Sequence, residues 1–223
     1  MRRDLATWGA ISPEEALRHP TWDMGAKISV DSATLMNKGL ELIEASYLFE
    51  VAPERVDLVI HPQSIVHSLV DFCDGSWMAQ LSVNEMVYPI QYALAYPERW
   101  ASSFPRLEPQ ELGRLEFEPV DCERFPSVAL ARRALALGGS APGVLNGANE
   151  VAVHAFLDGS IPFPAIVAKV EEVLESHRAA PVEGLEDALG WDAWGSRRAR
   201  EVLACGSYTR SWRAGQEAPG RAS

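Results

Sequence analysis

Lys27-Ile28-Ser29-Val30-Asp31-Ser32-Ala33-Thr34-Leu35-Met36-Asn37-Lys38-Gly39-Leu40-Glu41 is the stretch on which the fold turns. Its first four residues read as a short strand, and Asp31 or Ser32 then supplies the N-cap of a helix. In that helix Met36, Leu40, Ile43 and Tyr47 fall on one side at about 100° per residue, so this stripe faces a core. Asn37, Lys38 and Glu41 project from the other side. A strand that hands the chain to a capped helix predicts an α/β domain.

Such a junction aims backbone N–H groups and the positive end of a helix dipole at an anion, and the Ser32 hydroxyl can join them. That is a phosphate site in outline. Asn37 adds an amide donor and Lys38 a cation one turn further in, while Glu41 lies at i+4 from the first and i+3 from the second. A carboxylate there is also suited to Mg²⁺ or Mn²⁺, hard ions that take oxygen ligands. The same residues also describe a capped surface helix with an ordinary Lys–Glu ion pair, the commoner arrangement in proteins at large. Residue types alone leave both readings open.

Upstream, Ser12-Pro13-Glu14-Glu15 combines an N-cap, a proline at the first helical position and a Glu three residues after the cap, which predicts a short helix to about Arg18. Residues 21–26 read as a loop. Downstream, residues 56–60 read as a strand, and residues 64–73 and 76–82 flank a two-residue Asp74-Gly75 turn that predicts an antiparallel hairpin. Pro89 opens a helix to about Tyr96.

Four prolines and little periodicity mark residues 97–124 as a connecting segment. Beyond Phe125 the pattern is helical, over 126–137, 142–157, 164–177 and 191–204, with apolar spacing that predicts a small bundle. Residues 205–223 are rich in Gly, Ser, Arg, Gln and Pro and are expected to be disordered. The domains expected are therefore 1–96, a connector at 97–124, a helical bundle at 125–204 and a tail.

With 47% hydrophobic and 23% charged residues, the chain is ordinary globular material. No apolar run reaches the roughly 18 residues of a membrane span, and no apolar region follows the basic N-terminus as in a secretory signal. No membrane partner is expected. Cys73, Cys122 and Cys205 lack metal or redox spacing, so buried free thiols in a reducing cytoplasm are expected. A net charge of −11 argues against nucleic acid as a partner. Five basic and five acidic residues balance between Arg2 and Lys38, so a small anion is tolerable near the N-terminal part.

His19 precedes Pro20 in a loop, and Trp22 and Met24 in the same loop are either a mobile lid or simply packed down. His67, between Ile65 and Leu69, reads as a core histidine, and His61 ends a strand. His154 and His177 read as solvated. No G-x-G-x-x-G or P-loop occurs, so no nucleotide-binding unit is visible.

Residues 19–41, from His19-Pro20-Thr21-Trp22-Asp23-Met24-Gly25 through the opening stretch to Glu41, resemble the signature of the 1-deoxy-D-xylulose 5-phosphate reductoisomerase family. Val59-Ile60-His61-Pro62-Gln63-Ser64-Ile65-Val66-His67-Ser68, Leu115-Glu116-Phe117, Arg124-Phe125-Pro126 and Val144-Leu145-Asn146-Gly147-Ala148-Asn149-Glu150-Val151-Ala152-Val153 follow in the same order as in that family. The resemblance implies an α/β catalytic domain with a mixed or antiparallel sheet followed by a small helical bundle. It also implies the family's chemistry in the non-mevalonate isoprenoid pathway. There a divalent metal (Mn²⁺, Mg²⁺ or Co²⁺) assists rearrangement of 1-deoxy-D-xylulose 5-phosphate, and NADPH reduces the resulting aldehyde to 2-C-methyl-D-erythritol 4-phosphate.

Carried over by residue, the resemblance implies substrate binding by His19, Trp22, Ser32, Asn37, Lys38 and Glu41. Glu41 is the implied metal ligand, and Glu41, Lys38 and His67 are the implied catalytic residues. Met24, Gly25 and Met86 are placed at NADPH, and a homodimer is implied through the hairpin edge. Two positions depart from the family pattern: Ala26 stands where a basic residue is usual, and Asn84-Glu85-Met86-Val87 replaces Pro-Asp-Met-Arg.

The match begins after the family's N-terminal Rossmann domain, its other metal carboxylates and a Gly-Ser-Gly-Gly phosphate loop. The chain alone is therefore expected to be inactive. Two outcomes remain open: an enzyme whose missing half is encoded upstream, or a remnant without catalysis that serves as a structural or dimerisation module.

Overall fold

The computed structural model describes residues 3–18 and 24–205. Residues 3–18, 24–58 and 121–205 belong to one compact helical unit, and residues 59–120 form a second.

The helical unit contains α1 (Pro13–Ala16), α2 (Ala26–Thr34) and α3 (Met36–Phe49), then α5 (Pro126–Leu137), α6 (Ala141–Leu157), α7 (Ala165–Glu175) and α8 (Leu185–Ala204). The start of α1 is a capping box: Ser12 Oγ accepts from Glu15 N at 3.2 Å, and Glu15 Oε2 accepts from Ser12 N at 3.1 Å. Helices α5, α6 and α7 lie where periodicity places them. Helix α8 begins earlier than the expected residue 191, and Glu186 and Asp187 in its first turn complement the helix dipole.

The expected strand at Lys27–Val30 is instead part of helix α2. Val30 is fully buried, Ala33 packs on the core and Thr34 is buried, an inward spacing that only a helix provides. Burial of this face outweighs the weak strand preference of Ile28 and Val30. Leu35 then adopts the left-handed conformation (φ 58°, ψ 13°), ends α2 and lets α3 begin at Met36. A left-handed leucine costs about 1–2 kcal/mol, which burying its side chain offsets.

Helix α3 packs on α5 through Gly39, where an added Cβ would lie 2.8 Å from Ala131 Cβ. Of its predicted stripe, Met36 and Ile43 are buried and Leu40 is partly buried, but Tyr47 is exposed. Helices α6 and α8 cross so closely that a Cβ on Gly147 would overlap the Asp192 carbonyl.

The second unit holds β1 (Val59–Ile60), β2 (Val66–Asp71), β3 (Trp77–Leu81), α4 (Val87–Ala95) and β4 (Glu118–Pro119). Among the described residues the expected sheet is reduced to two antiparallel pairs, β1 with β4 and β2 with β3. The hairpin forms as predicted, but its turn has three residues rather than two. Phe72 N donates to Ser76 O and Gly75 N to Phe72 O, both at 2.9 Å, with Gly75 left-handed at φ 83°. The Asp74 carboxylate accepts from the Ser76 hydroxyl and amide, which holds its pKa below the ordinary carboxylate value.

The structure draws the division of the chain elsewhere than residues 97 and 125. Helices α2 and α3 share one core with α5–α7, so the bundle takes in much of the first expected domain. The proline-rich segment returns to close the second unit through β4. All three cysteines are exposed, contrary to the expectation of burial, because they occupy the hairpin turn, a loop and the C-cap of α8. The expected disordered tail beyond Cys205 lies outside the described residues. No described helix is long and apolar enough to cross a membrane.

Candidate functional site

In the helical unit the elbow between α2 and α3 carries four of the candidate residues, Ser32, Asn37, Lys38 and Glu41. Asn37 and Lys38 occupy the first turn of α3, and both reach Glu41 one turn on. Asn37 Nδ2 donates to Glu41 Oε1 at 2.9 Å, and Lys38 Nζ lies 2.9 and 2.7 Å from the two carboxylate oxygens. With side chains 50% and 46% exposed, the Lys38–Glu41 pair contributes at most about 1 kcal/mol to stability. Its groups are therefore available to a ligand at little cost to the fold.

Ser32 is not the N-cap that its sequence context suggests. It lies inside the last turn of α2, half-buried, and its carbonyl accepts from Leu35 N at 3.2 Å. The helix that carries Asn37, Lys38 and Glu41 starts instead at α3, whose N-cap is Leu35, three residues after Ser32. At that terminus Thr34 Oγ1 accepts from Met36 N at 3.3 Å. A phosphate near this turn would meet the dipole end, the Asn37 amide and the Lys38 ammonium.

Gly25 is the N-cap of α2, and its carbonyl accepts from the Ser29 amide and hydroxyl, each at 3.1 Å. It is exposed, and nothing lies within 4 Å of where a Cβ would be. Met24 beside it is half-buried. His19 and Trp22 lie outside the described residues.

In the second unit His67 is exposed, not a core residue. It sits at the register shift between Val66 and Ser68, and its Nε2 is 3.2 Å from Ser82 O. The shift breaks the simple alternation that made it look inward. Met86 caps α4 and is 58% exposed. His61, which ends β1, stacks on Phe117 at 4.7 Å, and its Nδ1 lies 2.7 Å from Glu116 O.

His177 is not solvated as expected. It is half-buried, with Nε2 2.8 Å from Ser140 Oγ and its ring against Trp191 and Trp194, and burial lowers its pKa.

The sequence reading took Asp31 for a possible helix cap and missed its buried role beside the elbow. Asp31 is 2% exposed, paired with Lys27 Nζ at 2.7 Å and bonded by Asn149 Nδ2 at 2.8 Å. The available signal was Asn149 itself, an uncharged polar residue on the apolar face of the 142–157 helix.

A metal fits these residues only in part. Glu41 offers one carboxylate, and among the described residues no group of three or more His, Cys, Asp or Glu side chains is placed to hold an ion.

Two family models match the chain: the DXP reductoisomerase C-terminal domain over residues 81–199, and the 1-deoxy-D-xylulose 5-phosphate reductoisomerase C-terminal domain over residues 1–49. The 1-deoxy-D-xylulose 5-phosphate reductoisomerase of Nitrosomonas eutropha is 49% identical over 96% of this chain and 51% of its own length. That of Nitrosomonas europaea is 52% identical over 91% and 49%. The structure of the Zymomonas mobilis enzyme in complex with NADPH superposes with a TM-score of 0.84 at 41% identity, covering 91% of this chain and 52% of that one. A DOX-P reductoisomerase in complex with NADPH, fosmidomycin and magnesium gives 0.82 at 42% identity, with 91% and 52% covered. The chain thus spans about half the length of the relatives it matches, and it belongs to the 1-deoxy-D-xylulose 5-phosphate reductoisomerase family.

Proposed function

We propose that this chain supplies the phosphate-binding elbow of a 1-deoxy-D-xylulose 5-phosphate reductoisomerase, which converts that substrate to 2-C-methyl-D-erythritol 4-phosphate with NADPH and a divalent metal. The observation that carries the reading is the Asn37–Lys38–Glu41 trio on the first two turns of α3, with Lys38 and Glu41 exposed. Lys38 and Asn37 bind the substrate phosphate, with Ser32 and the loop residues His19 and Trp22 assigned beside it. Lys38 offsets one of the phosphate's two charges, and the Asn37 amide orients it. Each keeps an N–H donor beyond those it gives Glu41, so a phosphate can be bound beside that carboxylate.

Glu41 is assigned as one metal ligand, with Mg²⁺, Mn²⁺ or Co²⁺ as candidates. A bound metal supplies Lewis acidity. One carboxylate is not a metal site, and what the described residues offer by themselves is anion binding. Met24, Gly25 and Met86 are assigned to the NADPH side, and the exposed backbone at Gly25 suits close approach of a ligand. His67 is assigned to the reacting end. Exposed cysteines suit a cytoplasmic location. The apolar side chains left open in the second unit, such as Trp77 and Met78 on the hairpin, support a homodimer. The same surface supports the second reading, a dimerisation module without catalysis.

The test is titration of the 223-residue chain with inorganic phosphate, followed at the Asn37 and Lys38 amides. Saturable shifts that Lys38→Ala abolishes are expected, and shifts unaffected by Lys38→Ala overturn the reading. The chain alone is expected not to oxidise NADPH in the presence of 1-deoxy-D-xylulose 5-phosphate and Mg²⁺. Oxidation by the purified chain breaks that expectation.

A further inference from the structure

Asp31 is a carboxylate placed almost entirely out of water, at 2% exposure, yet both its oxygens are engaged. Lys27 Nζ lies 2.7 Å from Oδ2, and Asn149 Nδ2 donates to Oδ1 at 2.8 Å. Asn149 belongs to α6 and is fully buried, and its own Oδ1 finds no partner among the described residues. An unpaired buried acceptor costs about 1–3 kcal/mol, which an apolar side chain of similar size would avoid. A local rule broken in a core position points to a role beyond packing.

What Asp31 controls follows from its place in the chain. It stands four residues before Leu35, the left-handed residue that turns α2 into α3. Between them Thr34 is fixed as well. Its hydroxyl donates to Asp31 O at 3.2 Å and accepts from Met36 N at 3.3 Å, and its carbonyl accepts from Ser127 Oγ of α5. Asn37 and Lys38 follow directly. A shift or rotation of α2 therefore moves the first turn of α3, and a misplacement near 1 Å at a binding group costs up to about 100-fold.

We propose that Asn149 is a positioning residue: through buried Asp31 it holds the α2–α3 elbow so that Asn37 and Lys38 meet a phosphate already in place. The inference rests on the phosphate reading of Asn37 and Lys38 given above. Asn149 touches none of the binding groups; it acts on them through α2.

The test uses the whole 223-residue chain, the variant Asn149→Ala, and the double variant Asp31→Asn with Asn149→Asp, which turns the same hydrogen bond round. Amide hydrogen exchange is compared between residues 33–41 and helix α7, and inorganic phosphate is titrated against each variant. Asn149→Ala is expected to speed exchange at 33–41 and to weaken phosphate binding, each by about tenfold, with α7 unchanged; the exchanged pair restores both to within about threefold. A folded Asn149→Ala with wild-type exchange at 33–41 overturns the proposal, and so does an exchanged pair that folds and restores neither property. Where Asn149→Ala does not fold, the exchanged pair alone decides. Failure of the phosphate reading looks different: wild type and Lys38→Ala then bind phosphate alike, and the amide exchange decides the positioning role by itself.

Discussion

The two units of the chain bury their apolar residues very differently. In the helical unit Val144, Leu145, Ala148, Ala152, Ile166, Val170 and Val173 are all fully buried, and α2 and α3 add Val30 and Met36 to the same core. In the unit of residues 59–120 Ala95 alone is buried among the described apolar residues, while Trp77, Met78, Leu94 and Tyr96 are 62–75% exposed. The hydrophobic term scales with area removed from water, so the first unit carries its own stability and the second has surface left to cover. The α2–α3 elbow sits on the first unit, with Val30 and Met36 anchored in its core.

Matched truncations give the largest test of this contrast. Leu145→Ala in the bundle should cost about 2–5 kcal/mol by denaturant unfolding, whereas Trp77→Ala on the hairpin should stay within about 0.5 kcal/mol. Equal losses would break the comparison. Trp77→Ala should also reduce any self-association seen by sedimentation, which sharpens the assignment of the hairpin to an interface.

A smaller loss is expected where α3 meets α5. Gly39→Ala must push Ala131 away, at about 1–3 kcal/mol, and should perturb the Lys38 amide more than any amide of α7. Unperturbed Lys38 would mean that α3 is not anchored through this crossing.

The smallest effect is one of pH. Burial lowers the His177 pKa, so the folded state holds this proton less readily than the unfolded chain does. Its contribution is complete above the ordinary histidine value of about 6.5 and is lost as pH falls from there through the lowered folded value. Unfolding midpoints measured between pH 5 and 7.5 should rise with pH, and His177→Gln should flatten that part of the slope. A slope identical in the two proteins would remove His177 as its source.

Legibility in the sequence followed how local the signal was. The capping box at Ser12, the hairpin around Gly75 and the helices α5–α7 depend on spacing within one element, and each was readable. The first strand was not. Lys27–Val30 reads as β in isolation, and its helical state comes from burying Val30, Ala33 and Thr34 against helices that follow much later in the chain. That error hid the Lys27–Asp31 pair, which exists only at the i,i+4 spacing of a helix. It also put the start of the helix carrying Asn37, Lys38 and Glu41 at Asp31 or Ser32, where the structure has Leu35 as the N-cap. His67 was misjudged because a register shift in the hairpin is invisible to simple alternation.

The residue order by itself determined the family, the helical bundle and the grouping of Asn37, Lys38 and Glu41 on one helix face, because these rest on patterns within a turn or two of chain. Tertiary structure alone decided that α2 is a helix, that Leu35 bends it into α3, and that Asn149 reaches Asp31 across 118 positions. Those outcomes depend on which distant surfaces exclude water together, and a buried carboxylate declares its partners only once the chain has closed around it.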